Sequence, residues 1–211
     1  MSYQLVVSEK PSVGAAYAKV LGATNRQDGY WEGNGYLVSW CIGHLVELAP
    51  PNVYDAKYVK WSIADLPILP QKWQYLVSAS TKKQFGILQK LMHRPDVDSL
   101  VNSCDSGREG ELIFRLVYQQ AGCKKPFSRL WLSSMEENAI REGFAHLKPS
   151  TEYDALYRKS GYSSKFLEAH REEVTLHKTA KAAFNESGLK KLPKVKDLNA
   201  EYSALLRFAE G

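Results

Sequence analysis

Cysteine is scarce in this chain, and its few cysteines lie far apart. The 211 residues include three, Cys41, Cys104 and Cys123. Three scattered thiols can form neither a disulfide framework nor the paired spacing of a zinc site. Reduced thiols of this kind are typical of a cytoplasmic protein.

Long apolar runs and blocks of like charge are also missing from the sequence. No window approaches the length of a membrane span. The apolar run at 3–7 is too short for a signal peptide and is followed at once by charge. The net charge is only +5 and is spread evenly along the chain. A polyanionic partner would therefore be recognised by the arrangement of charges, because no basic arm exists.

The residues that are present can build a core, since 44% are hydrophobic and they include five tryptophans and twelve tyrosines. Strand patterns lie at 3–7, 35–48 (strand, turn and strand), 99–104 and 129–134. Helix patterns lie at 11–22, 81–92, 111–122 and 134–147, the last with Ser134 and Glu137 as a capping box. The proline-rich stretch 50–80 is typical of a loop. This alternation predicts an α/β fold with a mostly parallel sheet covered by helices.

An unusual group of charges occupies the segment N-S-C-D-S-G-R-E-G-E-L-I-F at 102–114. It places Asp105, Arg108, Glu109 and Glu111 around two glycines at the start of a predicted helix. Glu9 follows the first predicted strand. Because ligands gather beyond the carboxyl ends of parallel strands, we expect these acids to share one edge of the sheet.

Three carboxylates at one edge, Glu9, Asp105 and Glu109, repel one another unless a cation lies between them. Oxygen ligands without His or Cys favour a hard ion such as Mg²⁺, which is usually held by a few carboxylates and substrate phosphate. Lys10 and Arg108 could bind the remaining phosphate oxygens. The alternative is a surface ion-pair network at a helix start, where acids suit the helix dipole. The pattern alone leaves both open, although it lacks the spacing of a nucleotide P-loop.

Four motifs, in this order and spacing, carry a family resemblance. They are S-E-K-P-S (8–12), I-G-H-L-V-E-L (42–48), D-S-G-R-E-G-E-L-I (105–113) and R-L-W-L-S-S-M (129–135). Residues 1 to about 155 resemble the Toprim domain of type IA DNA topoisomerases, in particular the topoisomerase III branch. The resemblance implies a Rossmann-like Toprim fold, dependence on Mg²⁺ and single-stranded DNA as the substrate.

The resemblance also implies roles for individual residues. Glu9 would be a metal ligand near the scissile phosphate and a proton donor or acceptor, and Lys10 would stabilise phosphate charge, with Arg108 beside it. Asp105 would be the principal Mg²⁺ ligand, supported by Glu109. Many relatives carry a second Asp where this chain has Gly107, a departure that favours one metal ion over two. Glu111 is interpreted as helix-start electrostatics.

Three further residues are candidates for contact with DNA. His44 is by default a structural histidine, but the resemblance places it near the DNA strand. Lys60 and Trp61 could pair with a phosphate and stack on a base, as in other proteins that bind single strands. Burial of Trp61 in the core is the alternative.

The sequence changes character after about residue 155, which predicts two domains, 1–155 and a helical tail at 156–211. The tail resembles a helical segment of relaxases from conjugative elements, which implies a mobile-element origin. The resemblance implies that the tyrosine nucleophile lies in a separate domain, so another chain would have to supply it. The alternatives are a silent module that binds single-stranded DNA or a partner, a Toprim nuclease that uses a metal-activated water, and a remnant without a role. Gly107 disfavours the nuclease, because two-metal hydrolysis needs more carboxylates.

Overall fold

The computed structural model of the protein describes residues 2–60 and 70–160. The predicted helices of the tail lie outside the described residues, apart from the start of the tail at 156–160. The chain divides into two compact units, Met1–Leu48 with Tyr75–Ser163, and Ala49–Gln74 with Ser164–Gly211. The domain boundary predicted at residue 155 therefore stays a prediction.

The described strands are β1 (Tyr3–Ser8), β2 (Asn25–Gln27), β3 (Tyr30–Gly33), β4 (Tyr36–Trp40), β5 (Val46–Leu48), β6 (Tyr75–Val77), β7 (Val97–Ser103), β8 (Phe127–Arg129) and β9 (Lys148–Pro149). The described α-helices are α1 (Pro11–Leu21), α2 (Pro51–Tyr54), α3 (Lys82–Met92), α4 (Arg108–Gln120), α5 (Glu137–Ala145) and α6 (Asp154–Arg158). Of these, α2 belongs to the second unit, together with the 3₁₀ helix Ala56–Lys60.

The first unit is built on a seven-stranded sheet in the order β2-β3-β4-β1-β7-β8-β9. The four strands β4, β1, β7 and β8 are parallel, whereas β2, β3 and β9 add antiparallel pairs at the two sides. The central strand β1 pairs Ser8 with Trp40 on one side and with Ser103 on the other. Three parallel strands thus end at the same level, and the predicted α/β fold is confirmed.

The apolar run in β1 explains why this strand is central. Leu5, Val6 and Val7 are all fully buried, and alternate side chains of a strand point to opposite faces of its sheet. Leu5 and Val7 accordingly belong to one hydrophobic cluster, with α3 and α4. Val6 belongs to the other, with α1 and α5. A strand that is apolar on both faces is the pattern expected in a sheet covered by helices.

Helix α1 begins and ends at the residues that the sequence indicates. Pro11 is its first residue, where a missing N–H group has no cost. Gly22 follows its last residue with φ at 77°, a left-handed conformation that glycine adopts without strain. The strongest local signals therefore predicted this helix correctly.

Other predicted boundaries were wrong. The strand expected at 129–134 is β8, which ends at Arg129, and the residues after it form a loop. The capping box is not formed, because α5 begins at Glu137 and Ser134 Oγ accepts a hydrogen bond from the amide of Glu136 at 3.2 Å. Helix α4 starts three residues earlier than predicted, at Arg108.

Two further strand pairs were not predicted from the sequence. Strands β2 and β3 form an antiparallel hairpin of three and four residues, too short to show a clear alternation of apolar and polar residues. Strand β6 lies within the stretch predicted as a loop and pairs with β5. Among the described helices, none has the length and apolar character needed to cross a bilayer.

Candidate metal and phosphate site at the sheet edge

The loops that follow the parallel strands meet at one edge of the sheet. The amide of Cys41, just after β4, donates to Ser8 O at 2.7 Å, and the amide of Gly43 donates to Glu9 O at 3.4 Å. The amide of Leu130, just after β8, donates to Asn102 O at 2.9 Å. These bonds extend the sheet beyond its strands and position Glu9 and the loop after β7.

Glu9 and Asp105 are brought together through Lys10. The ammonium Nζ of Lys10 lies 3.8 Å from Glu9 Oε1 and 3.4 Å from Asp105 Oδ2. The Glu9 side chain is only 12% exposed, whereas those of Lys10 and Asp105 are about half exposed. A cation thus contacts both carboxylates at the place where the sequence predicts a metal ion.

The Glu9 carboxylate is largely buried and only partly compensated by its neighbours. Its Oε2 atom is buried and has no hydrogen-bond partner within the described part of the chain. Burial raises the pKa of Glu9, the negative charge of Asp105 raises it further, and Lys10 opposes the shift. A divalent cation would satisfy both the bare oxygen and the like-charge repulsion, so the oxygen donors present here fit Mg²⁺.

The two glycines of the Asp105 loop have different roles. A methyl group at Gly110 would overlap the carbonyl oxygen of Asp105 and lie 2.8 Å from its amide nitrogen, so α4 can approach this loop only with glycine at that position. Gly107 precedes α4 with extended backbone (φ −179°), and a Cβ there would meet no described atom within 4 Å. Of these two glycines, only Gly110 is sterically required by the described atoms around it.

Glu109 does not join Glu9 and Asp105 but contacts His44. Its Oε1 lies 2.5 Å from Nε2 of His44, and both side chains are partly exposed. No three His, Cys, Asp or Glu side chains of residues 2–60 and 70–160 are arranged to hold a metal ion. Arg108, the exposed first residue of α4, makes no ion pair within the same residues. Of the three predicted ligands, two are therefore adjacent and the third is paired elsewhere.

Glu111 is buried rather than exposed at a helix start. Its carboxylate accepts hydrogen bonds from Arg115 Nε at 2.6 Å and from Asn102 Nδ2 at 2.8 Å. Arg129 Nε lies 3.1 Å away, and both Glu111 and Arg129 have no exposed surface. Burial raises the pKa of Glu111, and the hydrogen bond from Arg115 opposes the shift. Glu111 lies in the first turn of α4, so the interpretation as helix-start electrostatics stays a prediction, and its carboxylate also belongs to a buried ion-pair network.

Arg129 is the residue of this site that the sequence interpretation missed. Its Nη1 donates to the carbonyls of Asn102, Cys104 and Leu130, and its Nη2 donates to Asp105 O at 2.7 Å. One guanidinium therefore holds the backbone on which Asp105 is carried. The only signal in the sequence is a charged residue in the apolar segment R-L-W-L, and that signal does not reveal its partners.

The predicted DNA-binding residues belong to different parts of the chain. His44 lies in the first unit, beside Glu109. Lys60 is exposed at the end of the 3₁₀ helix in the second unit. Trp61 lies outside the described residues. The predicted contacts of all three with DNA stay predictions.

Comparison with known proteins agrees with this geometry. Residues 4–135 match the family described as Toprim domain. DNA topoisomerase 3 of Bacillus cereus (strain ATCC 10987 / NRS 248) is 45% identical over 157 residues, which are 74% of this chain and 22% of that protein. DNA topoisomerase 3 of Staphylococcus saprophyticus is 44% identical over 153 residues, covering 72% and 22%. The chain thus spans about a fifth of the length of the curated relatives it matches.

A solved structure of full-length topoisomerase I from Thermotoga maritima overlaps 69% of this chain and 21% of that chain, at 20% identity and a TM-score of 0.44. This distant likeness carries no argument of its own. The family match alone covers more than half of the residues, and it includes both Glu9 and Asp105. The chain belongs to the Toprim domain family.

Proposed function

We propose that this chain provides the metal- and phosphate-binding part of a type IA DNA topoisomerase of the topoisomerase III kind, acting on single-stranded DNA in the cytoplasm. Glu9 and Asp105 would hold one Mg²⁺ ion, with Glu109 in support. The observation that carries the proposal is the Lys10 ammonium between two carboxylates at the carboxyl edge of the sheet.

Lys10 and Arg108 are the groups that contact phosphate in this proposal. Lys10 is 3.4 Å from Asp105 and half exposed, so it can turn from the carboxylates to a phosphodiester oxygen when Mg²⁺ takes its place. Arg108 is exposed at the first position of α4 and offers a planar guanidinium to the same group. Bound beside them, Mg²⁺ supplies positive charge to the phosphate oxygens.

Glu9 moves the proton in the proposed reaction. The tyrosine hydroxyl loses its proton to water as its oxygen bonds to phosphorus, and the bond from phosphorus to the 3′ oxygen breaks. The leaving 3′ oxygen takes a proton from Glu9, which water then protonates again. Religation runs the same steps in reverse. The raised pKa of Glu9, caused mainly by burial, suits a carboxyl that must carry a proton.

The tyrosine nucleophile comes from outside the described residues. The described tyrosines of the first unit are structural where their contacts are known, as for Tyr17, whose burial raises its pKa to about 12. Another chain, or a domain beyond these residues, supplies the nucleophile. Lys60, Trp61 and His44 are the proposed contacts to the DNA strand.

Calorimetric titration with Mg²⁺ and a plasmid-topology gel test the proposal together. The chain should bind one Mg²⁺ ion, Asp105→Asn and Glu9→Gln should abolish that binding, and Glu142→Gln, an exposed acid of α5, should leave it unchanged. Negatively supercoiled plasmid should stay supercoiled with the purified chain, with or without Mg²⁺.

Each other outcome has a distinct meaning. Mg²⁺ binding that survives Asp105→Asn would overturn the proposed metal site. Nicked circles that require Mg²⁺ would instead support the nuclease alternative. A ladder of relaxed topoisomers would place a working nucleophile within this chain. Absence of Mg²⁺ binding with retained affinity for single-stranded DNA would favour a silent binding module.

A further inference from the structure

A large aromatic side chain is exposed just beyond the end of β8. Trp131 is 42% exposed, whereas tryptophan side chains are highly buried on average. One side of it stacks on the ring of Tyr153, with centroids 5.1 Å apart and planes 21° from parallel. The two rings, Trp131 and Tyr153, form what we call the aromatic platform.

The aromatic platform is attached to the backbone of Asp105 through one guanidinium. The Arg129 guanidinium carbon lies 5.1 Å from the Trp131 ring centroid and 5.9 Å from that of Tyr153. The same group donates a hydrogen bond to Asp105 O at 2.7 Å. Because Arg129 is fully buried and holds three other carbonyls, it fixes the platform relative to Asp105.

A second link joins the loop after β8 to the Asp105 loop. Ser106 Oγ donates to Leu132 O at 2.9 Å and accepts from the Leu132 amide at 3.0 Å. A cavity of about 220 Å³ runs along this loop, and its lining includes Asp105 together with the hydroxyl-bearing residues Ser106, Ser133 and Ser134. Groups that suit a sugar-phosphate backbone thus lie next to Asp105, in the loop that also carries Trp131.

Charge near the aromatic platform also suits a polyanion. Lys148 in β9 is exposed and pairs in register with Arg129 in β8. Lys148 therefore lies on the strand next to β8, and its exposed ammonium can contact a phosphate. An exposed aromatic pair beside a cation is the arrangement with which proteins hold an unpaired base and its phosphate.

We propose that the aromatic platform is a stacking site for one unpaired base of single-stranded DNA, whose backbone continues from the platform toward Asp105. The proposal rests on the proposed function, since it assumes that the strand reaches the metal site. It assigns to Trp131 and Tyr153 a base-stacking role in addition to the one expected of Trp61. Stacking is tolerant of sequence, because every base presents a π face.

Binding of a fluorescent oligothymidylate, followed by anisotropy at low salt, tests the platform in the full chain. Trp131→Ala should weaken binding by about 5- to 150-fold, the range expected for one stacked base. Trp131→Phe keeps an aromatic face and should retain most of the affinity. Leu76→Ala removes another exposed apolar side chain, 40% exposed on β6, and should bind like the wild type.

An oligonucleotide of the same length without bases separates stacking from loss of fold. Wild type and Trp131→Ala should bind this abasic strand equally, because the backbone contacts remain. Equal weakening on both strands, or equal binding of the base-bearing strand by Trp131→Ala and wild type, would overturn the platform and leave the proposed function in place. Failure of the wild type to bind either strand would overturn both.

Discussion

Gly110→Ala tests how closely α4 must approach the Asp105 loop. The new methyl group would overlap the Asp105 carbonyl oxygen and lie 2.8 Å from the Asp105 amide nitrogen. Both are backbone atoms, so no side-chain rotation relieves the contact and the helix or the loop must move. Overpacking of this kind costs about 1–3 kcal/mol, and the helix propensity of alanine returns at most about 1 kcal/mol.

Because the contact is with backbone, we expect an overpacking cost near 3 kcal/mol. After the gain of about 1 kcal/mol in helix propensity, the free energy of unfolding should fall by about 2 kcal/mol. Mg²⁺ binding should weaken as well, by about 10- to 100-fold, as it does when the support of a metal ligand is disturbed. Urea unfolding followed by circular dichroism measures the first quantity, and calorimetry measures the second.

Gly107→Ser is the matched control, since it changes the other glycine of the same loop. A Cβ at Gly107 meets no described atom within 4 Å, the backbone is extended, and serine is a favoured residue before a helix. The free energy of unfolding of this variant should lie within about 0.5 kcal/mol of the wild-type value, or slightly above it. The reasoning is refuted if Gly110→Ala matches the wild type, or if both variants lose stability equally.

Three further substitutions have expected outcomes. Arg129→Met should lower the free energy of unfolding by about 3–5 kcal/mol, because it removes the donor to four backbone carbonyls and one of the two cations beside the buried Glu111; adding Glu111→Leu should recover part of that loss in the same urea experiment. Gly107→Asp adds a carboxylate beside Asp105 and should tighten Mg²⁺ binding on the order of tenfold by calorimetry; unchanged affinity would contradict this. His44→Ala breaks a partly exposed ion pair and should shift the unfolding free energy by less than about 1 kcal/mol, so a larger loss would show a structural role.

Local patterns were enough to predict the parts of the fold that position the site. The apolar strand β1, the proline and glycine that bound α1, and the acids after β1 and β7 follow from spacing and from the rule that parallel strands end at one edge. Residues such as Glu9 and Asp105 could therefore be placed together before any coordinates. The four motifs added the family and the fold.

Contacts between distant segments could not be predicted in the same way. Strands β2 and β3 are only three and four residues long, so their pairing depends on the neighbouring strand β4 rather than on their own pattern. The burial of Glu111 in α4 depends on Arg115, one helical turn away, and on Arg129 in strand β8. Single-residue propensities contain no information about such partners.

The position of β1 and β7 in the middle of the sheet has a consequence for local unfolding. Glu9 and Asp105 follow two strands that pair on both sides, and their neighbours Val6, Val7 and Val101 are fully buried. Opening such strands requires nearly the whole free energy of unfolding, whereas edge strands open more easily. Amide protons next to the two acids should therefore exchange with solvent only when the domain unfolds globally. The two-residue strand β9 lies at the edge of the sheet and can fray without opening β1 or β7. Glu9 and Asp105 therefore stay in position while Lys148 can move.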